Sequence, residues 1–139
     1  MFATPQEAEE AFYQAFARAN LDAMMAVWDE SESNECIHPR GERIRGSVAI
    51  AESWRQIFAA APRMRIRIEG QNYTQTATLA VHVVTEIIDV DDPESQPAQV
   101  TASNVYQLTD SGWRLTLHHA SPATPRPPPP RHSREQVLH

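Results

Sequence analysis

Apolar side chains recur at helical spacing in the first part of the chain and at alternate positions in the last part. Ala8, Ala11, Phe12, Ala15 and Phe16 follow an i, i+3, i+4 pattern, which marks one buried face of a helix. Thr4, Pro5 and Glu7 precede that stripe as a helix start: a threonine cap, a proline in the first turn and a glutamate three residues after the cap. The pattern predicts a helix ending near Asn20, then a short one over Leu21 to Trp28 with Met24, Met25 and Trp28 on one side. Asp29 to Asn34 is polar and reads as a loop. Glu35 to His38 reads as a short strand that Pro39 interrupts, and Ile44 lies in a brief extended piece. Gly46-Ser47 opens a third helix, with Ser47 as candidate cap and Ile50, Trp54, Ile57 and Phe58 at helical period. Pro62 stops it.

Beyond Pro62 the period changes from helical to two. Met64, Ile66 and Ile68 alternate with Arg63, Arg65 and Arg67, as in a half-buried strand. Thr78 to Val90 is a long β-branched run, with Val81, Val83 and Thr85 expected inward and Glu86 outward. Asp91 to Pro97 turns the chain. Val100 to Leu108 is the next strand, Asp110-Ser111-Gly112 a tight turn, and Trp113 to Ser121 the last strand. On that last strand strict alternation puts Trp113, Leu115, Leu117, His119 and Ser121 inward and His118 outward. Helices followed by a strand meander give an α+β fold.

The composition sets the limits. The chain has 139 residues, 41% of them apolar, the size and apolar content of one domain with a core. Residues 1–121 form that domain. Residues 122–139 form a tail in which Pro122 and Pro127 to Pro130 favour a polyproline-like segment. The net charge of −6 offers no basic stripe for a nucleic-acid backbone, so nucleic-acid binding is not expected. No run is apolar and long enough to span a membrane, and one cysteine, Cys36, excludes an internal disulfide. A cytoplasmic location follows by elimination. No metal-ligand spacing is present, and neither a metal nor a cofactor is expected.

Several segments, taken in order, look like those of a known superfamily. They are Phe12-Tyr13-Gln14-Ala15-Phe16, Asn20-Leu21-Asp22-Ala23-Met24-Met25, Cys36-Ile37-His38-Pro39, Gly46 with Ile50, and Gly112-Trp113-Arg114 leading to His118-His119-Ala120-Ser121. Over residues 5–121 the chain resembles SnoaL-like proteins of the nuclear transport factor 2-like superfamily, which includes ketosteroid isomerase. The resemblance implies a cone: three N-terminal helices packed on a strongly curved antiparallel sheet around a small pocket. It also implies a homodimer through the outer sheet face, here Thr101, Ser103, Val105, Gln107, Thr116 and His118. The superfamily carries isomerases, cyclases, epoxide hydrolases and dehydratases, so the fold alone names no reaction.

Ketosteroid isomerases use a carboxylate base before a proline, a tyrosine in the first helix and a neutral acid on the penultimate strand. The matching positions here are His38, Phe12 and Asn104, with Tyr13 one residue off the tyrosine slot and on another face. An acid–base pocket of this type would use His38 as base, with His119 and Asn104 as its acid or oxyanion partners. Trp28, Cys36, Trp54, Phe58, Val83, Tyr106 and Ser121 would line it around a small apolar molecule. The alternative reading of the same residues is a plain core with satisfied histidines. In that case the chain is a non-catalytic dimeric association or ligand-binding module.

Overall fold

The computed structural model describes residues 1–61 and 63–124. The elements are α1 (Pro5–Arg18), α2 (Leu21–Val27), β1 (Glu35–Ile37), β2 (Ile44–Arg45), α3 (Ser47–Ala60), β3 (Met64–Gln75), β4 (Leu79–Val90), β5 (Ala98–Thr109) and β6 (Gly112–Pro122). The sheet runs in the order β2-β1-β6-β5-β4-β3. β3 to β6 form an antiparallel meander, and β1 joins β6 in parallel. Three helices on an unclosed, curved sheet give the α+β architecture expected. The polyproline-like reading of residues 125 onward lies outside the described residues, while Pro122 closes β6. Among the described residues no helix is long and apolar enough to cross a membrane.

Local chemistry places the helices. Thr4 Oγ1 accepts from the Glu7 N–H at 3.1 Å, and Glu7 reaches back to accept from Ala3 N–H at 2.8 Å. Such a cap contributes about 1 kcal/mol. Asn20 caps α2 by accepting from Ala23 N–H. In α3 the cap position belongs to Gly46 (φ 89°) and not to Ser47. The Ser47 hydroxyl donates instead to the Asp29 carbonyl at 3.2 Å, tying down the preceding loop. The helices lay Phe12, Phe16, Met24, Ile50, Trp54 and Phe58 onto the concave sheet face, where they meet Val84, Tyr106 and Leu115.

Two one-residue bulges reset the alternation of the strands. On β6, Val105 pairs with Leu117 but Tyr106 pairs with Leu115, so Thr116 is an extra residue. Trp113 and Leu115 face inward before it, and His118 and Ala120 after it. The expected faces of His118 and His119 are therefore exchanged: His118 is buried, and His119 and Ser121 are exposed. On β3 the register slips by one between Glu69 and Asn72, where Gly70 has φ 60°. Met64, Ile66 and Ile68 pack inward before the slip, and Tyr73 lies against the inward His82 after it.

The reading of β4 is also reversed. Ala80, His82, Val84 and Glu86 point into the core, and Val83 stands on the outer face with Val81 and Thr85. The β-branched face looked like the buried one because the true inner face carries a histidine and a glutamate.

Gly112 makes the tight turn into β6 at φ 85°, where a Cβ would lie 2.6 Å from Met1 Cγ and 2.7 Å from the Phe2 carbonyl oxygen. Gly112→Ala should therefore destabilise the fold by about 2–3 kcal/mol through strain and the clash. Thermal unfolding checks this, and an unchanged Tm would show that the Phe2 segment is not seated on β6.

Candidate functional site

α1, β4, β5 and β6 each contribute one polar side chain, Tyr13, Glu86, Asn104 and His118, to a single buried line of hydrogen bonds. His82, Asn104, His118 and Cys36 occupy one rung across the sheet, because His82 pairs with Asn104, Asn104 with His118, and His118 with Cys36. Val84, Ala102 and Ala120 form the next rung. Tyr13 reaches in from α1. Its hydroxyl donates to Glu86 Oε2 at 2.7 Å and accepts from Asn104 Nδ2 at 3.0 Å. Asn104 Oδ1 lies 2.5 Å from His118 Nδ1. An amide oxygen only accepts, so Nδ1 carries the proton and Nε2 keeps its lone pair. Every bond then points the same way: His118 to Asn104, Asn104 to Tyr13, Tyr13 to Glu86.

His38 stands at the His118 end. The two rings are 6.2 Å apart at their centroids, and Trp54 packs against both, edge-on to His38 at 4.7 Å. His38 Nε2 is 2.9 Å from Ser53 Oγ and 3.5 Å from Cys36 Sγ. It is the one half-exposed member of the group, at the end of β1.

Burial shapes the electrostatics, because it disfavours whichever form is charged. It holds His38 down to about 4. His118 falls to about 3, through burial first and then the neighbouring charges of His38 and His119. Both imidazoles are thus neutral at physiological pH. Burial pushes Cys36 up to about 12, so it is a thiol and not a nucleophile. Glu86 is raised to about 7 by burial, against the pull of the Tyr13 hydrogen bond. The Tyr13 phenol is driven far up by burial and then by Glu86.

Of the residues singled out in the sequence, His38, Cys36, Trp54, Phe58 and Asn104 come together here. Trp28 and Tyr106 are buried in the same core. His119, Val83 and Ser121 are not part of the site and point to the other side of the sheet. Phe12, Trp28, Trp54 and Tyr106 are fully buried and pack the space within the cone. A surface cleft of about 460 Å³ lies elsewhere, between Arg18, Arg63, Arg65, Asp89 and Asp91. The sequence reading missed Tyr13, Glu86 and His118. For Tyr13 a signal was available: with Glu9 it makes an i, i+4 pair beside the Phe12–Phe16 stripe, which widens the buried face of α1.

The carboxyl at Glu86 gives a pH test with a definite sign. Its folded value of about 7 exceeds its ordinary 4.5, so the folded state holds the proton more tightly. The stability it lends is complete below pH 4.5 and is lost as pH rises through 7. The depressed His38 and His118 act oppositely, losing stability as pH falls below their ordinary 6.5. Comparing Glu86→Gln with the unchanged chain isolates the carboxyl. The difference should move in favour of the glutamine variant by about 3 kcal/mol between pH 4.5 and 7, then stay flat. Denaturant unfolding across that range measures it, and a pH-independent difference would refute the buried carboxyl.

Comparison with known proteins agrees with this architecture. No curated protein matches the chain. Among solved structures, one from Thiobacillus denitrificans is 39% identical, with a TM-score of 0.83, covering 89% of this chain and 98% of its own. It is provisionally named a calcium/calmodulin-dependent protein kinase type II association domain. A Streptomyces avermitilis protein, provisionally named a dehydratase of the NTF2-like family, is 25% identical with a TM-score of 0.79, covering 86% and 94%. A Parabacteroides distasonis protein provisionally named a ketosteroid isomerase shares the fold at 16% identity and a TM-score of 0.71, covering 87% and 89%. The SnoaL-like domain family matches residues 6–125. With its helices, curved sheet and nearly full-length match, the chain belongs to the SnoaL-like domain family.

Proposed function

We propose that the chain is a small-molecule pocket protein that moves a proton on a small apolar substrate, in the manner of an isomerase or dehydratase. The observation that carries this is the one-way donor line from His118 through Asn104 and Tyr13 to Glu86, held inside an apolar cone. Such a line weakens a core: each polar group taken from water costs about 1–3 kcal/mol unless paired, and apolar side chains would pack there more cheaply. Perturbed ionisable groups gathered in one place mark functional sites more often than structural ones. His38, half-exposed and neutral, is the base that a substrate meets first. His118 replaces His119 as its partner, with Nε2 free to take a proton and Nδ1 fixed by Asn104. Trp54 and Phe58 supply the apolar wall and yield as the substrate enters. The dehydratase name of the Streptomyces avermitilis relative is consistent with this chemistry.

Native mass spectrometry of the purified chain, followed by denaturation, tests the reading. A retained small molecule that leaves on unfolding is expected. With that molecule or its analogues as substrate, His38→Ala should lower kcat by a factor of about 10² to 10⁴, the usual worth of a general base. Its unfolding midpoint should stay close to that of the unchanged chain. Undiminished turnover would remove His38 from the mechanism.

A second reading is an association module, favoured by the name of the Thiobacillus denitrificans relative. The outer sheet face would form the contact, as a homodimer. Val81, Val105 and Leu117 are paired across three strands there, beside Val83, Ser103 and Thr101. Leu117→Asp should then convert a dimer to a monomer in sedimentation. Mass unchanged by this substitution would place the contact elsewhere.

A further inference from the structure

Three histidines lie in the core or at its edge, and each has one ring nitrogen held by a neighbour. His82 Nδ1 bonds Glu9 on α1 at 2.7 Å, and Glu9 also accepts from the Tyr73 hydroxyl on β3. His118 Nδ1 donates to Asn104. His38 is held at the other nitrogen, Nε2, which meets Ser53 Oγ at 2.9 Å and Cys36 Sγ at 3.5 Å. The serine hydroxyl lies at the same time 2.7 Å from the Ile50 carbonyl oxygen, one turn back in α3. A hydroxyl has one proton and a carbonyl only accepts, so that proton goes to Ile50. Ser53 Oγ then offers His38 only lone pairs, and Nε2 must be the donor. In the opposite tautomer two lone pairs would face each other at 2.9 Å. The Cys36 thiol serves either tautomer and stands farther off, so the serine decides between them.

We propose that Ser53 is a positioning residue that fixes His38 in its Nε2–H tautomer, so that Nδ1 is the atom that takes a proton from the substrate. The role of Nδ1 rests on the proton-transfer reading, whereas the tautomer rests on the geometry of α3 alone. Which nitrogen of a histidine is basic is set by the hydrogen bond that the other one makes. Nε2 is covered from within the chain by Ser53 and Cys36, while Nδ1 has no hydrogen-bond partner among the described residues. Trp54, the next residue of α3, packs edge-on against the same ring at 4.7 Å. Two consecutive residues of one helix thus set the orientation of the ring and its tautomer. When Nδ1 gains a proton the ring becomes a cation. Its Nε2–H then donates as a charged group, and such bonds are about twice as strong as neutral ones. The serine oxygen, with its own proton turned away to Ile50, is aligned to receive that stronger bond.

The full chain, labelled with ¹⁵N at its histidines, is studied by long-range ¹H–¹⁵N NMR near pH 7, where the His38 ring is neutral. His38→Gln assigns the signals. The tautomer is read in the free protein, so it stands or falls apart from turnover, which His38→Ala tests. Nε2 of His38 should give the signal of a protonated nitrogen and Nδ1 that of an unprotonated one. A ring without a partner is a mixture of both forms, so their ratio measures what Ser53 does. Ser53→Ala should lower the ratio of Nε2–H to Nδ1–H by a factor of about 5, the worth of one hydrogen bond. Ser53→Thr, which keeps the hydroxyl, should leave the ratio high. An Nδ1–H ring in the unchanged chain overturns the proposal. So does a ratio that Ser53→Ala leaves as it was, which would reduce the serine to a bond within its own helix.

Discussion

The parity of two strands decides what lies inside this cone. A strand alternates faces with period two, so one added residue sends everything beyond it to the opposite side. Thr116 does this on β6, and the slip at Gly70 does it on β3. Without the first, His118 would face outward and His119 would be buried. Without the second, Tyr73 would leave His82 and Glu9. Each bulge leaves a residue outside the ladder, a small cost next to what it aims. Bulges of this kind recur where a strand must re-aim one side chain.

Given that parity, the carboxamide of Asn104 ties the interior together. Like the Tyr13 hydroxyl it donates and accepts at once, but an amide offers both on one rigid plane. Through it α1, β4, β5 and β6 are joined by side chains as well as by packing. A hydrocarbon there would leave Tyr13 and His118 each short of a partner in a low-dielectric core, where an unpaired polar group is expensive. The same environment keeps His38 and His118 neutral and lifts Glu86 toward 7. One act of burial therefore produces two uncharged bases and one carboxyl poised near physiological pH.

Much of the fold was readable because it rests on periodicity. The Phe12–Phe16 stripe, the Trp54–Phe58 stripe and the Met64–Ile68 alternation all name a buried face by themselves. His38 and Asn104 were readable too, one from its place before Pro39 and the other from its strand. The rest of the site was hidden for two physical reasons. A bulge has no hydrophobic signature: Leu115-Thr116-Leu117 reads as ordinary alternation, and so His119 and Ser121 were expected where His118 and Ala120 lie. On β4 the hydrophobic signal pointed the wrong way. Val81 and Val83 are the more apolar set, but they line the outer face, since the inner face is where His82 and Glu86 meet Glu9 and Tyr13. A polar site inside a core inverts the pattern used to find cores.

Glu9 and Tyr13 then explain why the first helix is built as it is. They stand one turn apart on α1, and each is the helix's sole contribution to one of the two buried networks. Between and beside them, Phe12 and Phe16 pack on Trp54. The helix is thus held by apolar contact along one edge and by two carboxyl–hydroxyl bonds along the other, in opposite senses: Glu9 accepts from Tyr73 on β3, whereas Tyr13 donates to Glu86 on β4. A rotation of α1 by even part of a turn would satisfy the aromatic edge in another way but would break both polar bonds. Apolar packing alone tolerates such slippage, because it is not directional. The hydrogen bonds do not tolerate it, since they weaken steeply once misaligned. The two networks therefore fix the rotation of α1 on the sheet, and with it the position of the Tyr13 hydroxyl, on which the order of the whole donor line depends.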